Sequence, residues 1–274
     1  MFIEVEDVRF TISEICLNFF PNKINQKLAI TGTNGKTSIS FYVHQIWKKI
    51  NINGAFVGTL GIGYKRNINL KSNLTTPDVV NTHKILKRLT ELECTNVIFE
   101  ASSIGLHQKR LSPIKFDVVG FTNLSNDHLD YHKNINNYKL SKSLLFTDYI
   151  KKNSLAVINT DSKFSKFFLD LCKKKEIKIL DYGQKAKFFK IKKIKRVDDL
   201  FEVKFIFKNK EQNIKIKCFA EFEIYNIICS LIMVFNTKLN IKNLKIISDL
   251  KNPSGRLEKI FDKKAIRVFI DYAH

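Results

Sequence analysis

The run Leu28-Ala-Ile-Thr-Gly-Thr-Asn-Gly-Lys-Thr37 constrains this chain more than any other segment. An apolar stretch of strand length ends in a turn with two glycines, then Lys-Thr, then a helical pattern. That order puts free backbone N–H groups and a helix N-terminus around an anion, with an ammonium beside it. A nucleotide triphosphate is therefore the expected ligand. The common phosphate loop would carry glycine at position 30; Ile30 stands there, so the turn is the shorter Gly-x-x-Gly-Lys-Thr.

Composition narrows the class. With 274 residues and 44% hydrophobic content, the chain can bury a sizeable core. The net charge of +21 resembles a nucleic-acid footprint, but of 47 basic residues only seven are arginine, and the lysines are spread throughout. A nucleic-acid surface would cluster its cations, often with arginines and stacking aromatics. The lysines read instead as a solvated basic surface, and no nucleic-acid partner is expected. Cys16, Cys94, Cys172, Cys218 and Cys229 form no C-x-x-C pair and suit small buried hydrophobes in a reducing compartment. No apolar run approaches the roughly 18 residues that span a membrane. The start, with Glu4, Glu6 and Asp7, lacks a signal-peptide pattern. A cytoplasmic monomer without a membrane partner is expected.

Periodicity predicts strands near 27–31, 54–59, 96–101, 116–121, 155–158 and 177–180, and helices near 37–50, 79–92, 136–149 and 162–175. The alternation predicts an α/β fold: a mainly parallel, P-loop-type sheet with flanking helices. Ligands then gather beyond the carboxyl ends of the strands, which puts the phosphate turn, Glu100 and the loop after Phe121 on one edge. From 187 to 219 the period changes to two, giving a small antiparallel β element with lysines outward. Helices near 223–235 and 241–250 follow. Pro253-Ser254-Gly255 then marks a boundary before strands near 257–261 and 266–270. The sequence stops at Asp271-Tyr-Ala-His274, where a βα loop should begin, and so reads as cut off within a domain.

Mg²⁺ bound with a triphosphate needs hard oxygen ligands. Thr37 and Glu100, the latter closing an apolar strand, are the candidates. The loop Asn123-Leu-Ser-Asn-Asp-His-Leu-Asp-Tyr-His132 concentrates titratable groups after a strand. By position alone, Lys142 in the following helix reads as an ordinary surface lysine.

Eight motifs occur in the order found in Mur ligases: Thr31-Gly-Thr-Asn-Gly-Lys-Thr37, Thr75-Thr-Pro-Asp78, Glu100-Ala-Ser-Ser103, Gln108-Lys-Arg110, Phe121 to His132, Tyr138-x-x-x-Lys142, Gly255-Arg-Leu-Glu258 and Asp271-Tyr-Ala-His274. From about residue 26 onward the chain resembles this family. It is nearest the branch that adds meso-diaminopimelate or L-lysine to UDP-N-acetylmuramoyl-L-alanyl-D-glutamate.

The resemblance implies that Gly32, Thr33, Asn34, Gly35, Lys36, Thr37 and Ser38 cradle the ATP phosphates, with Lys36 on the β- and γ-phosphates. Thr37 and Glu100 would hold the Mg²⁺ of ATP, and Glu100, His128 and Lys142 a second Mg²⁺. Lys142 would act as a carbamate formed from CO₂, turning a cation into an oxygen donor. Asn226 would contact adenine, and Arg256 would lie near the phosphates. Thr75, Thr76, Ser102, Gln108 and Arg110 would bind the UDP-muramoyl-dipeptide. The implied reaction forms an acyl phosphate on the substrate carboxylate, which the incoming amino acid then displaces.

On the same basis 1–25 would be the tail of an N-terminal UDP-binding domain and 26–252 the central ATP-binding domain. Residues 253–274 would be the opening strands of a truncated C-terminal ligase domain. A chain so divided is expected to bind Mg·ATP weakly without completing ligation. Four positions depart from the family pattern: Ile104 in place of histidine, Asn126 in place of arginine, and Ala220 and Glu223 in place of a glycine and an asparagine near the adenine. The alternatives are a folylpolyglutamate synthase-like ligase, which shares the Gly-Thr-Asn-Gly-Lys turn, and an ATP-binding remnant without ligase activity.

Overall fold

The computed structural model describes residues 4–65, 73–263 and 266–272. In chain order it runs α1 (Val8–Phe19), β1 (Gln26–Thr31), α2 (Lys36–Lys49), β2 (Gly54–Gly58), β3 (Gly61–Gly63), α3 (Val79–Glu91) and β4 (Asn96–Glu100). Next come α4 (Ser103–His107), β5 (Phe116–Phe121), α5 (Leu129–His132), α6 (Ile135–Thr147), β6 (Ile150–Asn159), α7 (Ser165–Lys174) and β7 (Lys178–Gly183). The rest is β8 (Phe189–Val197), β9 (Leu200–Phe207), β10 (Lys210–Ile216), α8 (Glu221–Phe235), two 3₁₀ segments (Asn236–Lys238 and Ile241–Asp249), β11 (Glu258–Lys263) and β12 (Ile266–Ile270).

Ten strands form one sheet in the order β10-β9-β8-β7-β6-β5-β1-β4-β2-β3. From β2 to β8 neighbouring strands are parallel, and the central ones, β2, β4, β1 and β5, are covered on both faces and read as near-continuous apolar runs rather than alternations. Within β1 the pleat still divides the side chains. Leu28 and Ile30 join a core under α2 and α8, with Tyr42, Trp47 and Ile228, while Ala29 faces the opposite core with Phe99, Phe146 and Phe168. Burying one such large side chain contributes about 1.5–3 kcal/mol.

The antiparallel element extends this sheet through β8. Phe201, Val203, Phe205 and Phe207 of β9 point inward, and Lys204 is exposed between them. β11 and β12 make a separate two-stranded sheet, tied to the β8–β9 turn by the fork of Arg267 on Asp199 at 2.7 and 3.0 Å.

The strands and long helices lie close to their expected positions. Two readings change, and four elements are added. Within 1–25, α1 forms a helix capped by Asp7, which accepts the Phe10 N–H, and it packs on α3. The segment expected as a helix near 241–250 is 3₁₀, opened by reciprocal bonds between Asn240 and Asn243. The strand expected at 257–261 begins one residue later and runs to Lys263, because Leu257 is left-handed at φ +46° and cannot continue a ladder. α4, α5 and β3 are too short for periodicity to reveal. All five cysteines are buried and unpaired, as expected. Residues 66–72, and Ala273 and His274 of the last motif, lie outside the described residues.

Candidate active site

The carboxyl ends of β5, β1, β4 and β2 meet at the phosphate turn. Gly32 follows β1 where a Cβ would sit 1.9 Å from Thr122 Oγ1 at the end of β5. Gly35 has φ +89°, and its missing Cβ would lie 2.6 Å from Asn226 Oδ1 of α8. Only glycine fits either place. The loop after β5 clamps the turn: Thr33 N–H donates to Asn123 O (2.9 Å), Asn34 N–H to Asn123 Oδ1 (2.9 Å), and Thr122 Oγ1 to Asn34 O (2.6 Å). Gly35 is the N-cap of α2, and no side chain caps this end, so the first-turn N–H groups face outward as an anion site.

Lys36 folds back on this turn, its Nζ donating to the carbonyls of Gly32 and Thr33 at 2.8 Å each. Lys142, read from position as a surface lysine, is fully buried; its Nζ donates to the same Gly32 carbonyl at 2.8 Å and lies 4.4 Å from the centre of the Tyr138 ring. Burial, and then the neighbouring Lys36, hold the Lys142 amine well below the ordinary lysine range. Burial likewise lowers Lys36, with Glu100 pulling the other way. A buried amine whose pKa is so lowered gives up its proton more readily, which fits the chemistry of carbamate formation, a reaction of the free base.

Glu100 is wholly buried at the end of β4. Its carboxylate accepts from Thr37 Oγ1 (2.8 Å), Thr59 N–H (2.9 Å) and Thr59 Oγ1 (3.1 Å), yet burial still raises its pKa. A carboxylate beside a hydroxyl at an anion site is a hard-oxygen set that fits Mg²⁺. Among the described residues no group of three or more His, Cys, Asp or Glu side chains clusters as a ready-made metal site. His128 is left-handed at φ +51°, 3.6 Å from Asp127, and meets the Tyr138 ring edge-on.

The residues expected on the acceptor side do come together, with differences in role. Thr75 Oγ1 lies 3.1 Å from Thr59 Oγ1. Thr76 is turned inward: its hydroxyl donates to Glu100 O (2.7 Å) and accepts the Ser102 N–H (2.9 Å). Ser102 Oγ caps α4 by accepting from Gly105 N–H. Gln108 Oε1 accepts from Arg110 Nε (3.0 Å) and Nη2 (2.7 Å). Arg256, expected near the phosphates, stacks on Tyr272 at 4.8 Å and donates to its carbonyl, and its charge also reaches Lys36, whose pKa it lowers. Glu223, one of the departures near the expected adenine site, is buried and accepts the Phe219 and Ala220 N–H groups, so it caps α8.

Beside Asn226 opens a cavity of about 320 Å³ lined by Asn123, Asn159, Tyr182, Phe222 and Tyr225 among others. A larger hollow, about 720 Å³, lies over α7 and β7 and includes none of the phosphate-turn residues. Sequence reasoning gave no role to Thr59, Thr122, Asn123 or Tyr138. The last three lie within the quoted motifs, and Thr59 is marked only by its place just after a strand end.

A family profile described as the Mur ligase middle domain matches residues 30–234. A UDP-N-acetylmuramoyl-L-alanyl-D-glutamate–2,6-diaminopimelate ligase of Rickettsia bellii (strain RML369-C) is 35% identical over 276 residues, covering 99% of this chain and 57% of the relative. The corresponding ligase of Chelativorans sp. (strain BNC1) is 31% identical over 99% of this chain and 56% of its own. The chain thus spans a little over half the length of these relatives. A solved diaminopimelate ligase superposes with TM-score 0.82 and 25% identity over 95% of this chain and 54% of its own. Mycobacterium tuberculosis folylpolyglutamate synthase, solved with ADP and AMPPCP, shares the fold at TM-score 0.77 and 16% identity, over 97% of this chain and 67% of its own.

Proposed function

The chain belongs to the Mur ligase family, and we propose that it is the ATP-binding part of a ligase adding an amino acid to UDP-N-acetylmuramoyl-L-alanyl-D-glutamate. Diaminopimelate is the proposed amino acid, from the names of the relatives. One observation carries the reading. Glu100 bonds Thr37 of the phosphate turn on one side and, through Thr59, reaches Thr75 of the acceptor side on the other, so nucleotide and acceptor meet at one carboxylate.

In this reading the α2 N-terminus and Lys36 receive the phosphates, Lys36 leaving its carbonyl partners to do so. The adenosine occupies the cavity beside Asn226, between Tyr182, Tyr225 and Phe222. Thr37 and Glu100 would hold one Mg²⁺, and Glu100, His128 and carbamylated Lys142 a second. Bound there, Mg²⁺ supplies positive charge to the transferring phosphoryl group. Carbamylation joins the neutral Lys142 amine to CO₂ and releases one proton. Gln108 and Arg110 orient the dipeptide so that its D-glutamyl carboxylate attacks the γ-phosphorus and ADP leaves. The amino group of the incoming amino acid then attacks the acyl carbon, and phosphate and a proton depart. Arg256, held on Tyr272 and within electrostatic reach of Lys36, would add positive charge beside the phosphates.

Residues 26–252 are proposed as the ATP-binding domain, with 1–25 and 253–274 assigned to its neighbours. Among the described residues no helix is long and apolar enough to cross a membrane, and a cytoplasmic monomer is the proposed state. Calorimetry of the chain with Mg·ATP, the UDP-muramoyl-dipeptide and folylglutamate tests the assignment. Binding of the first two is expected. Preference for folylglutamate over the dipeptide refutes it.

A further inference from the structure

Tyr131 lies in the one-turn helix α5 that follows His128. Its hydroxyl is 2.9 Å from His107 Nδ1 and 3.2 Å from Gln108 Nε2. Its ring packs edge-on against His107 (5.6 Å) and His132 (4.7 Å). His132 is pinned in turn by Ser103 Oγ at 3.0 Å and Ser141 Oγ at 3.3 Å. The hydroxyl therefore stands on a fixed ring.

A hydroxyl has one proton to give and two lone pairs to receive with. The Gln108 amide N–H donates to Tyr131, which leaves the hydroxyl its proton or its second lone pair for His107 Nδ1. Gln108 Oε1 is already committed to the Arg110 fork, and Arg110 Nη1 donates to Thr76 O at 3.0 Å. The amide is thus fixed at both ends, its carbonyl on the guanidinium and one N–H on the tyrosine. Its second N–H has no partner among the described residues. His107 is exposed, and Tyr131, Gln108 and Arg110 are only half-buried, so water would satisfy these groups at little cost to the fold. Holding them in one arrangement instead suits a ligand that meets them already oriented.

We propose that Tyr131 is a positioning residue for the acceptor. It holds Gln108 so that the spare amide N–H, beside the Arg110 guanidinium, faces an oxygen of the anionic dipeptide. The inference rests on the acceptor reading of residues 75–110 given above. It also ties acceptor binding to the His128 turn, since His132 N–H donates to His128 O at 3.0 Å.

The test uses Tyr131→Phe, Gln108→Ala and the double variant of this chain, with His107→Ala as a second route to the same hydroxyl. Affinity for the UDP-muramoyl-dipeptide and for Mg·ATP is read by calorimetry, and the Gln108 side-chain amide by ¹H–¹⁵N NMR. Tyr131→Phe keeps the ring and is expected to weaken dipeptide binding about fivefold, the scale of one neutral hydrogen bond. It should leave Mg·ATP affinity within about twofold, move the Gln108 amide resonances, and add nothing in the Gln108→Ala background. His107→Ala should weaken the dipeptide in the same direction.

Unchanged dipeptide affinity in a variant of a binding-competent chain overturns the inference and leaves the acceptor reading standing. So does a parallel loss of both ligands, or an equal loss without Gln108. A wild-type chain that binds Mg·ATP but no dipeptide overturns the acceptor reading, and the inference with it.

Discussion

Replacing Glu100 by glutamine should separate the stability of this site from its chemistry, because the two have opposite signs there. The carboxylate is fully buried and its pKa is raised by that burial. A carboxyl whose folded-state pKa lies above its unfolded value binds more protons in the native state, so stability falls as pH rises through that window. At neutral pH the ionised group is therefore a cost, partly offset by Lys36.

Glutamine keeps the shape. Its Oε1 can retain the Thr59 N–H at 2.9 Å. Its Nε2 would replace the oxygen that faces the hydroxyls of Thr37 (2.8 Å) and Thr59 (3.1 Å), and both can rotate to accept. With these hydrogen-bond partners still satisfied and the Lys36 attraction outweighed by the desolvation relieved, stability should be unchanged or rise by about 1 kcal/mol, or about 2–4 °C for a chain of this size.

Mg·ATP binding should move the other way. A unit charge about 4 Å from this divalent ion is worth about 8 kcal/mol at an effective dielectric of 20. Remaining ligands and water reduce this to about 2.7 kcal/mol, or about a hundredfold in affinity. Thermal melts with and without Mg·ATP, and calorimetry with metal-free ATP as control, read both quantities. A melting point lowered by more than about 5 °C with Mg·ATP affinity intact would refute the reasoning and make Glu100 a structural counter-charge to Lys36.

Gly35→Ala should destabilise the chain by about 1–3 kcal/mol and weaken ATP further, since φ +89° strains any side chain and Asn226 Oδ1 lies 2.6 Å from the new Cβ; a urea titration without change in midpoint would contradict this. His44, His83 and His132 all have pKa values lowered chiefly by burial. The unfolded chain then takes up their protons near the ordinary value of about 6.5, so stability should be full above that pH and decline below it. Urea midpoints at pH 7.5 and 5.5, taken in the Glu100→Gln background to remove its opposing contribution, should fall on acidification; a flat profile would refute it. Bicarbonate labelled with ¹³C should give a carbamate resonance that Lys142→Arg abolishes, and its persistence in that variant would place the carbamate elsewhere.

How much could be read beforehand depended on whether the chemistry was contiguous. The phosphate turn was legible because its glycines, lysine and threonine are neighbours and the strand before it is apolar on both faces. Glu100 was legible for a related reason, a charge ending a buried run. Lys142 was not: its helix shows an ordinary polar position, and only the packing of α6 against the turn buries the amine beside Gly32. Arg256 matched a motif, yet its partner here is Tyr272, chosen by the small hairpin that carries both. Thr76 matched as well, but its hydroxyl is spent on the backbone of β4 and α4.

The sequence by itself determined the strand order of chemistry along the chain, the anion-binding turn and the two-sided burial of the parallel strands, because each is a local pattern of residue types. The tertiary structure decided which distant ends meet. Placing β1 between β5 and β4, with β2 next, brings Thr122, Gly32, Glu100 and Thr59 within bonding reach, and no spacing in the sequence encodes that contact. The short helices α4 and α5 exist for the same reason: their stability comes from the groups they join rather than from their own periodicity.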